Sequence, residues 1–438
     1  MEEQMNWTEE YKSKLVSVEE CAKIIKSGDT IAMAAGCSAP KDLMESIAER
    51  YQELENVNIV SGLLMYPFPH LDKKFIGHIK HTSIFLGPVE RFFLNQKNID
   101  VVSYQFSETE NLLSKQLKCN VAIIECSKPD EKGFMSFGPL GTFSNRLWAD
   151  NANTVIVQVN EKTPYVYGQK ASIHVSEVDY ICEKSHDLAE LPASLPDEND
   201  KKIAEFIIKE IPDGATIQLG LGNIANAVGY LLNKKNDLGV HTEMLTESMV
   251  ELAKKGVINC SKKTFHPGKI LCGFGIGTKK LYEFMDKNEM IETAPISYVN
   301  NIQNIAKNDN FMSINNALTV DLTGQVCSET LGYDMYSGTG GQLDFARGAR
   351  LSNGGKSFIA LKSTAKTKAG VVSRISSSLQ PGTIVTTPRT DVQYIVTEYG
   401  IADLFNKSIS ERTKMLIKIA HPDFRSRLEN DAKETGLI

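Results

Sequence analysis

One acid stands alone in the stretch Gly239-Val240-His241-Thr242-Glu243-Met244-Leu245, among apolar and small residues. A carboxylate held where water is scarce must be paired, hydrogen-bonded or put to use. A capping box or a surface helix, with Glu247 one turn on, would account for Glu243 as well. Upstream, Gly220-Leu221-Gly222-Asn223-Ile224 leaves a strand pattern and enters a helical one. Glycines there permit positive φ and close backbone approach, and free N–H groups at a helix start favour an anion. A tight turn with no ligand reads the same way. A dinucleotide fingerprint would need a third glycine near Ala225 and an acid roughly 20 residues on. Glu243 supplies the acid, but the glycine is missing. The densest signal is Tyr336-Ser337-Gly338-Thr339-Gly340-Gly341-Gln342-Leu343-Asp344, three glycines in four positions before a helical start. Such a loop offers backbone donors to a developing oxyanion or to a phosphate. Lys366 follows the run Phe358–Leu361, at the strand end where α/β folds collect ligands. A solvated lysine fits there equally.

Metal chemistry has little support. The eight histidines show neither H-x-x-x-H nor H-E-x-x-H spacing, and His78 and His81 read as a solvated or locally bonded pair. The eight cysteines, from Cys21 to Cys327, form no C-x-x-C and are expected as reduced, buried thiols.

The elements that must position these residues come as a repeat. Ser27-Gly28-Asp29-Thr30-Ile31-Ala32-Met33-Ala34-Ala35-Gly36 and Asp213-Gly214-Ala215-Thr216-Ile217-Gln218-Leu219-Gly220-Leu221-Gly222, 186 residues apart, share glycine, threonine, isoleucine and glycine at the same offsets. Each reads as a turn, a buried strand, a tight turn and a helix entry. Short apolar runs such as Val121–Cys126, Thr154–Val159, Ile270–Gly275, Thr383–Thr386 and Tyr394–Thr397 alternate with helical stretches such as Glu108–Leu117 and Ser410–Ile419. That alternation predicts an α/β chain of two related open halves with mainly parallel sheets and a cleft between them. The proline-bearing, acidic run Leu191–Asp200 reads as the linker between residues 1–190 and 200–438, with Asn199 or Asp200 capping a helix from Lys201.

Composition agrees. The chain of 438 residues is long enough for two domains, and 42% apolar with 23% charged residues is ordinary for a folded soluble protein. A net charge of −6 argues against nucleic acid as the main partner. No secretory signal is visible and no apolar run approaches the roughly 18 residues of a membrane span, so a cytoplasmic protein is expected.

These pieces, in this order, resemble the acetyl-CoA hydrolase/transferase family of class I coenzyme A transferases, in its 4-hydroxybutyrate and butyryl-CoA:acetate branch. The likeness runs over nearly the whole chain. It is densest in Gln218–Val228, His241–Met244, Ser313–Gln325, Ser337–Ala349 and Val396–Asp403. The resemblance implies that Glu243, the acid of the H-[ST]-E-M segment, forms the covalent intermediate. Asn300, from Tyr298-Val299-Asn300, would be an oxyanion donor, with Gly341 as its backbone partner. Gly220, Leu221, Gly222, Asn223 and Ile224 would border coenzyme A, as would Gly340 and Gly341. Leu318 would touch it through backbone, and Lys366 would reach its phosphates. It further implies acyl-CoA and a short-chain carboxylate as substrates, no tightly bound cofactor, and a homodimer or higher assembly. Phe134–Gly141 and Tyr66–His70 depart from the branch pattern. In the family that half helps shape the acyl pocket, so the resemblance implies that these departures bear on substrate choice. A hydrolase with the same glutamate, an NAD-linked dehydrogenase and a non-catalytic coenzyme A-binding module are the competing readings.

Overall fold

A computed structural model describes residues 6–368 and 370–438. They divide into two compact units, 1–191 with 271–298, and 192–270 with 299–438.

In the first unit, β1 (Thr30–Met33), β2 (Val57–Ser61), β3 (Ile79–Ser83), β4 (Ile99–Val101), β5 (Val121–Cys126), β6 (Thr154–Val159) and β7 (Tyr180–Glu183) form one sheet. Its spatial order is β4-β3-β2-β1-β5-β6-β7, every neighbouring pair parallel. All of β5 is buried, as expected of a strand covered on both faces. On one face Ile31, Met33, Val57 and Ile59, alternate residues of their strands, pack with Cys21 and Ala22 from one helix and Leu43, Met44 and Ile47 from another. Burying each of the larger side chains is worth about 1.5–3 kcal/mol. The segment 271–298 joins this unit through the pairing of Gly168 with Thr293 and a 2.8 Å bond from Tyr282 Oη to the Ala189 carbonyl.

The second unit repeats the plan. β8 (Thr216–Leu219), β9 (Gly239–Leu245), β10 (Phe311–Asn316), β11 (Lys356–Ala360), β12 (Tyr394–Thr397) and β13 (Gly400–Asp403) run in the order β9-β8-β10-β11-β12-β13. They are parallel except for the closing β12–β13 hairpin. The sequence repeat has a topological counterpart: β1 lies between β2 and β5, and β8 lies between β9 and β10. Each repeat enters through a positive-φ glycine, Gly28 or Gly214, whose N–H gives a 2.9 Å bond to a carbonyl, of Glu55 or Asn236. At a central strand of this kind the chain reverses direction across the sheet, and the diverging loops leave a crevice at the carboxyl edge.

Two local expectations are corrected. The helix expected from Lys201 spans Glu198–Lys209, because Asp197 and Asp200 form a reciprocal capping box that starts it three residues earlier. Thr383–Thr386 is not a strand. The Thr386 and Thr387 N–H groups both go to the Val326 carbonyl, and Ile384 and Val385 lie exposed with no sheet neighbour. The eight cysteines are all free and buried. His78 and His81 do not pair with each other: His78 Nδ1 meets the Leu54 carbonyl, whereas buried His81 meets His70. Among the described residues no helix is long and apolar enough to cross a membrane.

Candidate active site

Glu243 lies on β9, half-buried, with His241 on the same face of the strand. Its Oε2 accepts a 2.9 Å hydrogen bond from Asn300 Nδ2, and the Gly341 backbone lies against the same carboxylate, its N–H favouring the charged form. The three residues come from separate parts of the second unit. Asn300 is fully buried and precedes Asn301, whose side chain caps the helix Ile302–Ala306 and so fixes the turn. Gly341 caps the helix Gln342–Leu351, where the first N–H groups point out of the helix unpaired. A Cβ at position 341 would lie under 3.0 Å from both Glu243 Oε2 and Asn300 Nδ2, so only glycine fits. That constraint is steric, since φ here is −97°.

Burial, joined by the negative charge of nearby Asp344, pushes the Glu243 carboxyl up to about 7. The bonds from Asn300 and Gly341 oppose the rise. The result is a carboxyl that is basic for its type yet still ionises near neutrality, a combination suited to a nucleophile. Asp344, itself buried in the first turn of the 342–351 helix, is the functional neighbour that sequence reading named without giving it a role.

The glycine turn that leaves β8 packs against the end of β10. Gly220 approaches Asn315 so closely that a Cβ would meet its Oδ1 at 2.8 Å, and Gly222 sits at φ +118°. Asn316 Nδ2 donates to the Leu221 carbonyl, and Ser194 Oγ donates to Asn223 Oδ1. Behind the turn, Gln218, Ser313 and Asn315 form a closed buried network with bonds of 2.7–3.1 Å. The turn itself is open, with Leu221 and Gly222 exposed. The side chain of Ile224 is in the core, so that residue can offer only backbone to a ligand. Gly340 takes φ +57°, turning the loop so that Gly341 faces Glu243. Leu318 is half-buried and its N–H is already given to the Cys327 carbonyl at 2.8 Å.

The first unit closes its corresponding edge with its own chain. His186 Nε2 lies 2.7 Å from buried Glu125 at the end of β5, and Asn160 Nδ2 donates to the His186 carbonyl at 3.0 Å. Only the second copy of the repeat keeps an open glycine turn.

Lys366 stands apart from the hydrogen-bonded cluster, exposed on the hairpin formed by residues 364–367 and 370–373. At the base of that hairpin is a cation the sequence did not single out. Arg374 is half-buried and makes no ion pair among the described residues, and the loss of hydration lowers its pKa. Nothing in its sequence setting marks it. Among the described residues no three His, Cys, Asp or Glu side chains are grouped to hold a metal ion.

The position of Glu243 has a thermodynamic consequence. A carboxyl whose pKa is raised on folding, here from 4.5 to about 7, costs stability progressively as pH rises through that window. Glu243→Gln removes the cost. The variant is expected to melt above the parent at about pH 8, with the advantage gone below about pH 4.5. Equal melting temperatures at the higher pH would contradict the desolvation.

The chain is similar to known proteins along nearly its whole length. Residues 1–190 match the acetyl-CoA hydrolase/transferase N-terminal domain and residues 277–432 match its C-terminal domain. The chain is 43% identical over 431 residues to the 4-hydroxybutyrate coenzyme A transferase of Clostridium kluyveri, covering 98% of this chain and 100% of that one. It is 39% identical over 442 residues to the butyryl-CoA:acetate CoA-transferase of Anaerostipes caccae, covering 99% of each. The crystal structure of RipA from Yersinia pestis superposes with a TM-score of 0.94 at 35% identity, covering 99% of this chain and 100% of that one. Matched in both domains and along its full length, the chain belongs to the acetyl-CoA hydrolase/transferase family.

Proposed function

We propose that this chain transfers coenzyme A between a short-chain acyl-CoA and a free carboxylic acid through a glutamyl-CoA thioester on Glu243. The observation that carries the reading is a desolvated carboxylate met by the Asn300 side-chain amide and the Gly341 backbone N–H.

In the first step the free oxygen of Glu243, Oε1, attacks the thioester carbonyl carbon. The C–S bond breaks, leaving an acyl-glutamyl anhydride and coenzyme A thiolate. The thiolate then attacks the glutamyl carbonyl carbon, and the bond to the acyl-bearing oxygen breaks. A carboxylate departs and glutamyl-CoA remains. A second carboxylate reverses both steps. One negative charge passes from carboxylate to thiolate to carboxylate, and no proton is gained or lost.

The donors fit the glutamyl half of this cycle. When thiolate adds to the glutamyl carbonyl, charge develops on Oε2, where Asn300 already donates and beside which the Gly341 backbone lies. Pre-aimed donors need no reorganisation, and losing one of them typically costs about 10²–10³ in rate. Coenzyme A would run along Gly220–Ile224 and Leu318, past Gly340 and Gly341, with Lys366 as the cation for its phosphates. Binding of that remote body would be expressed at the reacting carbonyl, and the site must exclude water because both intermediates hydrolyse.

The relatives named for 4-hydroxybutyrate and for butyryl-CoA with acetate favour a four-carbon acyl group and acetate as the exchange pair. Relatives named acetyl-CoA hydrolase are more distant; that of Candida albicans is 26% identical over 70% of this chain. Transfer to a carboxylic acid, not hydrolysis, is the proposed activity, in a cytoplasmic homodimer.

Two experiments test these assignments. Incubation with butyryl-CoA and no acceptor, followed by borohydride reduction and peptide mapping, should place the modification on Glu243. A label on Glu247, or an active enzyme with none, would overturn the nucleophile. For Lys366, Lys366→Ala should lower kcat/KM about tenfold for butyryl-CoA at low salt and far less for butyryl-pantetheine, which lacks the nucleotide phosphates. Equal losses on both substrates would remove Lys366 from the phosphate site.

A further inference from the structure

His241 is buried, two residues before the proposed nucleophile, and both its ring nitrogens are engaged. Nε2 lies 2.7 Å from the Val299 carbonyl oxygen, which can only accept, so Nε2 carries the proton. Nδ1 is then an acceptor, and Asn308 Nδ2 lies 3.0 Å from it. Asn308 also gives an N–H to the Ile305 carbonyl at 3.3 Å, which fixes which end of its amide faces the ring. The cost of that orientation is visible: Asn308 Oδ1 is buried with no partner, and so is Asn300 Oδ1. A buried acceptor left unmade costs about 1–3 kcal/mol. Both amides spend their carbonyl ends to aim their N–H ends. The donors then point one way, from Asn308 to His241, from His241 to Val299, and from the adjoining Asn300 to Glu243.

The surroundings keep the ring neutral and still. Phe265, Phe311 and Phe345 enclose it, with ring centroids 5.9–6.3 Å away. Burial drives the imidazole pKa down to about 3, helped by the positive charge of Lys263 and by His266. Lys263 itself is spent on the Val240 and Lys269 carbonyls at 2.7 and 2.8 Å. Phe345 belongs to the helix that Gly341 begins. The ring therefore touches all three elements that carry the site: β9 with Glu243, the 299–300 turn, and the 342–351 helix.

We propose that His241, fixed in its Nε2–H form by Asn308, is the positioning residue that holds the Val299–Asn300 turn so that the Asn300 amide meets Glu243. It touches no substrate and transfers no proton. The proposal rests on the proposed role of Glu243, and borohydride labelling of the unaltered protein tests that role separately.

The test combines kinetics with the tautomer itself. Gln at 241 can place an N–H near the Nε2 position, whereas Leu cannot. His241→Leu is expected to lower kcat about tenfold to a hundredfold, less than Asn300→Ala, with KM for butyryl-CoA within about threefold of the parent. His241→Gln should recover kcat to within about threefold. Nitrogen NMR of ¹⁵N-histidine-labelled protein, with the His241 signals identified by their loss in His241→Gln, should show a neutral Nε2–H ring from about pH 5.5 to 8.5. Asn308→Leu, which removes the donor to Nδ1, should lower kcat without displacing the coenzyme A affinity. A ring that titrates in that range, a ring protonated on Nδ1, or a His241→Gln no better than His241→Leu would overturn the proposal. So would a His241→Leu whose loss lies wholly in KM.

Discussion

Everything at this site depends on keeping one carboxylate out of water without neutralising it. Burial and the charge of Asp344 push Glu243 towards its protonated form, and the Asn300 amide and the Gly341 N–H pull it back. The balance near neutrality leaves a carboxylate more basic than an exposed one and still partly ionised. A fully solvated glutamate would be too weakly nucleophilic, and one without donors would be protonated. The absence of a side chain at 341 is what leaves room for the Asn300 amide to meet the carboxylate with the Gly341 backbone beside it.

The sheet makes that convergence possible. Glu243 is fixed by β9, and the glycine turn leaves β8 at the carboxyl edge where β9 and β10 lead in opposite directions. The donors come from a turn before one helix, which the Asn301 side chain caps, and from the start of another. Rigid elements thus hold a geometry that tolerates little displacement. The first unit carries the same topology, but its edge is closed by its own residues at Glu125, Asn160 and His186.

Much of the frame was legible in the sequence because local pattern and final environment agree. Continuous apolar runs at 121–126 and 154–159 became buried parallel strands with the expected limits, and the glycine repeat marked both central strands. Thr383–Thr386 misled because β-branched residues favour strands only where a neighbour exists to pair with them. The Asp197 cap is not marked by local sequence, because the neighbouring Asn199 and Asp200 are residue types equally suited to the role. At the site, Glu243 was conspicuous as an acid in an apolar run. Its meeting with Asn300, 57 residues on, came into view only through family likeness, since no spacing rule brings them together. The assignments to Asp344 and His241 needed three-dimensional contact, because each reads locally as an ordinary helix or strand residue.

The pH dependence of kcat/KM, which reports groups of the free enzyme, tests the central claim most directly. The account predicts that kcat/KM for butyryl-CoA falls on the acid side with an apparent pKa of about 7, and that Asp344→Asn moves this limb to lower pH by removing the like charge. An acid limb at the ordinary carboxylate value of 4.5, unmoved by Asp344→Asn, would contradict it.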